Sequence, residues 1–294
     1  FPLNGGDNSK TDYLETVGRV RLMDAELAPL FWISGDVGTA TLHSVEGDLL
    51  QINRPSMDFF KEQLTWVRAY SDLRIDRLGE INAQINDLMS FYGGMHFLSG
   101  ARRKKTLELL YAVYRLALRL EVTVKHLCRA PRPVDYAVEI QPTIQTPDHS
   151  CFPSGHATEA FAIATVFHRL MTGQGPAQGL GDSAMPSKMA HRIAVNRSVA
   201  GVHFPVDSAA GALLGCKIGD AFVALACGTL KEVVPPTGTP IFAPTGPADN
   251  RPRTKSPVLA FGSKRDFLLS WLKEIWVGHE AKIIKIKEPQ SILS

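Results

Sequence analysis

Three short stretches carry residues able to do chemistry. The first is Cys151-Phe152-Pro153-Ser154-Gly155-His156-Ala157, which has the pattern of a loop turning into a helix. Ser154 suits an N-cap, and Ala157, Ala160, Phe161, Ala164, Phe167, His168 and Met171 follow at helical spacing. A helix start offers unpaired N–H groups and the positive end of a dipole. Gly155 lets an oxyanion approach the backbone, Ser154 adds a hydroxyl, and His156 can carry a proton near neutral pH. The second stretch, Lys125-His126-Leu127-Cys128-Arg129-Ala130-Pro131-Arg132-Pro133, places a Lys at a helix end and Arg132 in a proline-bracketed loop. The third, Asn196-Arg197-Ser198-Val199-Ala200-Gly201-Val202-His203-Phe204-Pro205-Val206-Asp207, holds an Arg, a His six residues on and an Asp four beyond that. Together they offer one Lys, two Arg and two His to one tetrahedral or trigonal oxyanion. Arg forks grip such oxygens bidentately and Lys adds a point charge.

Lys-x6-Arg-Pro, then Pro-Ser-Gly-His, then Arg-x5-His-x3-Asp, in this order, resembles the superfamily of type 2 phosphatidic acid phosphatases (PAP2) and vanadium-dependent haloperoxidases, over about residues 100–225. One departure is visible: the third motif usually opens with Ser, and here Asn196 stands there. The resemblance implies a mainly α helical bundle and an enzyme. It also implies two chemistries for one cage, because vanadate and the phosphoryl transition state are both trigonal-bipyramidal.

In the haloperoxidase reading, His203 is the vanadium ligand and Lys125, Arg132, Ser154, Gly155 and Arg197 hold the vanadate oxygens. His156 manages protons while hydrogen peroxide and a halide react. In the phosphatase reading no cofactor is needed. His203 takes the phosphoryl group of a phosphate ester, Asp207 orients it, and His156 is the acid and then the base. The cations and the N–H groups near Gly155 stabilise the equatorial charge. His149, seven residues before His156, tips the resemblance toward bromide- or iodide-oxidising haloperoxidases, which have a His at that place. Haloperoxidase is therefore the leading expectation and a soluble acid phosphatase the alternative. A non-catalytic anion-binding homologue is a third reading, supported by Asn196 alone.

The elements that must position these groups are helices. After Asn53-Arg54-Pro55-Ser56, apolar periodicity predicts a helix to about residue 71. A second is predicted from about Arg74 to Tyr92, with Ile75, Leu78, Ile81, Ile85 and Met89 on one face and Gly93-Gly94 ending it. Residues 102–128 predict a long helix that delivers Lys125 in its last turn. A proline-rich loop runs from Ala130 to Cys151, with Asp135 and Tyr136 placed to orient His156 or Arg132. The helix opened by Ser154 runs to Thr172-Gly173, a loop follows to Ser187, and a helix from about 187 ends at Arg197. Pro205 starts the next. Residues 1–50 read as an irregular arm with at most a short helix or strand pair, and 233–257 as a Pro/Gly-rich excursion. Residues 266–277 read as a last helix, and the whole chain, 1–294, as a single domain.

A net charge of +3, with 45% hydrophobic and 21% charged residues, is that of a globular protein and carries no nucleic-acid signature. The most apolar stretch, Ser208 to Leu230, is interrupted by Lys217 and Asp220, so no membrane span is expected. The chain opens on Phe1 rather than Met, which fits a removed secretion signal, and a periplasmic or secreted place is favoured over the cytoplasm. Cys128 and Cys151 flank the site and could bridge, although free buried thiols are the expected state. Homo-oligomerisation is expected by analogy with the family, through the first 60 residues and 233–257.

Overall fold

The computed structural model describes residues 14–226. The expectations for 233–257, for 266–277 and for the chain end lie outside these residues. Within them the fold is mainly α, as expected, with one small sheet.

The expected irregular arm instead holds regular elements from Thr16 onward. Helix α1 spans Thr16–Leu27, and strands β1 (Phe31–Asp36), β2 (Thr39–Ser44) and β3 (Gly47–Asn53) form an antiparallel meander in the order β1-β2-β3. The two connections are two residues long, and Gly38 and Gly47 beside them have φ of 87° and 127°, which a side chain would resist. Along β2 the burial alternates, with Ala40, Leu42 and Ser44 facing inward. One polar side chain from each strand then links all three: Ser34 Oγ lies 2.6 Å from His43 Nε2, and His43 Nδ1 lies 2.8 Å from Asp48.

The sheet braces the next functional helix. The Gly38 N–H donates to the Leu127 carbonyl at 2.9 Å, and Arg54 donates to the Cys128 carbonyl at 2.8 Å. Both acceptors lie in the last turn of a helix, where carbonyls lack internal partners.

Helix α2 (Met57–Tyr70) starts on Ser56, whose hydroxyl accepts from the Phe59 N–H at 3.2 Å. Its Phe60 is fully buried and packs against the rings of Tyr136, Phe152 and Phe204. Those three rings come from the α5–α7 and α9–α10 connections, which carry much of the candidate chemistry. The single helix expected over 74–92 is broken in two, α3 (Arg74–Ala83) and α4 (Met89–Gly93). Its predicted stripe is also wrong: Ile81 and Met89 are buried, but Ile75 is 93% exposed and Leu78 and Ile85 face outward. The physical reason is that α3 docks mainly through its polar side. Arg74 donates to the carbonyls of Val199 and Ile140, and Glu80 holds Arg192 at 2.8 Å.

Helix α5 (Lys104–Cys128) is the long helix expected, and it buries Leu110, Val113, Leu116, Ala117, Leu120 and Val124. Arg129 stops it in a left-handed conformation, φ 49°. The loop to Cys151 contains a short helix α6 (Pro133–Tyr136) and a 3-10 turn, Val138–Ile140. Helix α7 (Gly155–Thr172) is buried nearly all round, as the centre of a bundle must be. Helix α8 (Pro176–Gly181) interrupts the expected 173–187 loop, and α9 is Met185–Val199. Helix α10 (Pro205–Ala226) closes the described fold.

Helix α10 is, among the described residues, the one helix long and apolar enough to cross a membrane, which the expectation of no span did not anticipate. Two charges do not break up so apolar a stretch. Much of it, 61% of its most apolar window, is buried inside the chain. It lies unusually close to α7. A Cβ on Gly211 would meet Ala157 Cβ at 2.9 Å, one on Gly215 would meet Ala162 N at 2.9 Å, and one on Gly219 would meet Ala162 O at 2.9 Å. A glycine every fourth residue thus forms a groove into which the α7 backbone settles.

Candidate active site

The α7–α10 seam fixes the site, because both helices begin there. Ser154, fully buried, caps α7: its hydroxyl accepts from the Ala157 N–H at 3.4 Å, and its own N–H donates to the Asp207 carbonyl at 2.9 Å. The loop just before it contains a cis Phe152–Pro153 peptide. Gly155 opens the helix against a carboxylate, since a Cβ there would meet Glu121 Oε1 at 3.0 Å.

His203 and Asp207 lie across the first turn of α10. His203 Nδ1 is 3.1 Å from Asp207 Oδ2, which also accepts from the Phe204 N–H at 2.8 Å. A carboxylate oxygen accepts, so Nδ1 carries the hydrogen. On the other side, Arg132 Nη1 lies 3.2 Å from His203 Nε2. A guanidinium only donates, so Nε2 presents its lone pair. His203 is therefore the neutral tautomer with a nucleophilic Nε2. Burial, and then the nearby charges of Arg132 and Lys125, hold it well below the usual histidine range. Burial also lifts Asp207, to about 7, against the Phe204 hydrogen bond and those same cations.

Arg132 is anchored by the Val202 carbonyl at 2.8 Å and the His149 carbonyl at 3.1 Å, and its Nη2 lies 3.2 Å from His149 Nδ1. His149 thus touches the cage through Arg132 but is itself exposed. Asp135 acts on Arg132 at the backbone, accepting from its N–H at 2.7 Å. It does not reach His156. Tyr136 packs on Phe60 and Phe204 and also supports rather than orients the cage histidine.

His156 follows Gly155, and its Nε2 lies 3.0 Å from the Gln84 carbonyl. Burial first, then the charge of Arg197, pushes it down to about 3. Arg197 is 1% exposed. Its Nη2 donates to Gln84 Oε1 at 2.9 Å and to the Ile81 carbonyl at 3.3 Å, while its Nε finds no hydrogen-bond partner among the described residues. A buried guanidinium with a donor in reserve is what an incoming oxyanion would satisfy.

Lys125 departs from the expected role. Its ammonium donates to the carbonyls of Ser150 and Pro153 and sits 3.5 Å from Glu121. Two of its hydrogens meet loop carbonyls and its charge faces the Glu121 carboxylate, so Lys125 ties the Ser150–Pro153 loop to α5 and contributes mainly charge. Glu121, four residues earlier on α5, was not singled out in the sequence. Neither was Glu159, buried on α7, which burial and the Glu121 charge raise to about 8. Cys128 and Cys151 are free thiols, so the bridge considered for them does not form, and the Cys151 thiol donates to the Pro131 carbonyl.

Residues missed in the sequence cluster on α3. Asn196, fully buried, donates to Glu80 at 2.9 Å and to Gln84 at 3.0 Å and accepts from Arg77 at 3.2 Å. The departure from Ser therefore has a structural partner set, though none of it is visible within the motif. His96 stands edge-on to Phe167, and His168 is buried on α7.

The family model of the PAP2 superfamily matches residues 106–226. The chain is 34% identical over 104 residues to the decaprenylphosphoryl-5-phosphoribose phosphatase of Mycobacterium tuberculosis, in strains CDC 1551 / Oshkosh and ATCC 25618 / H37Rv alike. That alignment takes in 35% of this chain and 52% of the relative, so the chain spans about half the length of the curated relatives it matches. Among solved structures, the transmembrane PAP2 type phosphatidylglycerolphosphate phosphatase from Bacillus subtilis aligns at TM-score 0.45 and 16% identity, over 74% of this chain and 98% of that one. The first bacterial vanadium dependent iodoperoxidase aligns at TM-score 0.41 and 16% identity, over 56% and 48%.

Proposed function

We propose that this chain, whose residues 106–226 are a PAP2-superfamily segment, is a phosphatase that hydrolyses phosphate monoesters through a phosphohistidine at His203. The observation that carries this reading is the Asp207–His203–Arg132 alignment, which leaves His203 neutral with its Nε2 lone pair facing a guanidinium. A phosphoryl group entering between Nε2 and Arg132 meets a nucleophile and a cation at once. Nε2 forms the N–P bond as the ester P–O bond breaks, and the leaving oxygen takes a proton from His156. Water then attacks phosphorus and gives a proton back to His156, while the N–P bond breaks, its electron pair returns to His203 Nε2, and inorganic phosphate leaves. Arg132, Arg197 and the first N–H groups of α7 stabilise the equatorial oxygens.

The phosphatase relatives support this alternative over the haloperoxidase expectation that rested on His149. The name of those relatives makes a 5-phosphoribose ester the first physiological class to test. The cage also fits orthovanadate, with His203 Nε2 as ligand and Arg132 and Arg197 on its oxygens; once bound, vanadate would supply peroxide activation. The deciding experiment assays the purified chain against p-nitrophenyl phosphate, and separately against bromide and iodide with peroxide, with and without orthovanadate. Phosphate release inhibited by vanadate and abolished by His203→Ala is expected. Vanadate-dependent halide oxidation without phosphate release would return the haloperoxidase reading to first place.

A further inference from the structure

We propose that Gln84, outside the family-matched segment, is a positioning residue that holds both His156 and Arg197. Gln84 is fully buried and closes the C-terminal end of α3. Its main-chain carbonyl meets His156 Nε2 at 3.0 Å. A carbonyl only accepts, so that nitrogen carries the hydrogen of the neutral imidazole. The nitrogen left to exchange a proton with the leaving oxygen is then Nδ1.

The side chain of Gln84 acts on the arginine. Its Oε1 accepts from Arg197 at 2.9 Å and from Asn196 at 3.0 Å, which uses both lone pairs, and its Nε2 donates to Glu80 at 2.9 Å. Arg197 can only donate, so the amide orientation is determined. With Nη2 held by Gln84 and the Ile81 carbonyl, the guanidinium cannot rotate freely, and its partnerless Nε keeps one direction. One residue thereby ties the acid on α7 and the oxyanion donor on α9 to the same helix end. Asn196, in the place where the resembling family usually has Ser, completes the clamp by bridging Gln84 and Glu80.

The kinetic part of this inference rests on the phosphatase reading; the structural part does not. The test uses the full chain and the variants Gln84→Leu, which removes the amide bonds at similar volume, and Gln84→Glu, which keeps an oxygen for Arg197. Imidazole 15N NMR of the parent protein is expected to show His156 as the Nε2–H tautomer; an Nδ1–H tautomer overturns the proposal. Calorimetric titration with orthovanadate is expected to show affinity about 10–100-fold weaker in Gln84→Leu and largely restored in Gln84→Glu. Unchanged affinity in Gln84→Leu also overturns it. In turnover, Gln84→Leu keeps the main-chain carbonyl on His156 and loses only the hold on Arg197, so kcat should fall by a similar factor, about tenfold or more, on an alkyl phosphate and on p-nitrophenyl phosphate, together with the loss of vanadate affinity. Equal loss on both esters with unaltered vanadate affinity would mean a merely structural role. If the parent releases no phosphate, the functional reading fails while the tautomer and the vanadate titration still decide this one. If Gln84→Leu does not fold, the tautomer and Gln84→Glu decide it.

Discussion

Substituting Gly215 by Ala tests whether the α7–α10 seam sets the site. The new Cβ would stand 2.9 Å from Ala162 N and 3.0 Å from the Thr158 carbonyl carbon, and nearer still to the Thr158 oxygen. These are backbone atoms of a buried helix and cannot swing aside. Ordinary heavy-atom contact is about 3.5–4.0 Å, so the helices must part by roughly 0.5–1 Å. Overpacking of this kind costs about 1–3 kcal/mol, and a gap of that size weakens neighbouring contacts along the seam. Ala gains back about 1 kcal/mol of helix propensity over Gly. A net loss of up to about 2 kcal/mol follows, before the weakened contacts along the seam are added. Urea denaturation should show it as a lower midpoint at unchanged slope. Because Ser154 and His156 sit at the start of α7 while His203 and Asp207 sit at the start of α10, the same shift should lower turnover in the proposed phosphatase reaction by about 10²-fold. The matched control is Gly79→Ala on α3, where a Cβ meets nothing within 4 Å. It should stabilise by about 0.5–1 kcal/mol and leave turnover alone. If Gly215→Ala gains stability as Gly79→Ala does, the close seam is not real and the reasoning fails.

Further outcomes follow from the same geometry. Asp207→Asn should cut kcat by about 10²-fold or more with little change in KM, since the hydrogen on His203 Nδ1 is then no longer held by a charge; an unchanged kcat would remove Asp207 from the relay. Glu159→Gln should stabilise the chain at alkaline pH. The carboxyl is raised from 4.5 to about 8, so its contribution is intact below 4.5 and lost as pH rises through 8. The gain over the parent should approach about 3–5 kcal/mol above pH 8 and vanish below 4.5, read by denaturation at both ends. His156 behaves oppositely: lowered to about 3, it withdraws stability as pH falls from 6.5 toward 3. In its proposed role as the acid it must nonetheless be protonated, so kcat/KM should decline as pH rises toward neutrality; an increase between pH 6 and 8 would contradict that role. Arg197→Lys should lose about 10²-fold in kcat, because a single ammonium cannot hold Gln84 and an oxyanion in the geometry of a fork.

Much of the site was determined by local sequence. Ser154 caps α7, Gly155 opens it, Lys125 ends up in the last turn of α5, and Asp207, in the first turn of α10, lies four positions after His203 and close enough to meet it. Each of these follows from rules that act within a few residues. The glycines at 211, 215 and 219 acquire their meaning only from the packing, which shows the α7 backbone against them. What tertiary structure alone decided is what each group is bonded to. Lys125 had the sequence of an anion donor, yet its donors meet loop carbonyls brought in 25 and 28 residues later. The α3 stripe of Ile75, Leu78 and Ile85 had the period of a buried face, yet α3 turns its Arg74, Glu80 and Gln84 side to α9. Periodicity registers which residues are apolar but not whether a set of buried polar partners elsewhere outweighs them. Gln84 and Arg197 are 113 residues apart, and Gln84 and His156 are 72 apart. Hydrogen bonds closed over such distances leave no spacing in the chain, so they can be read only once the helices have packed.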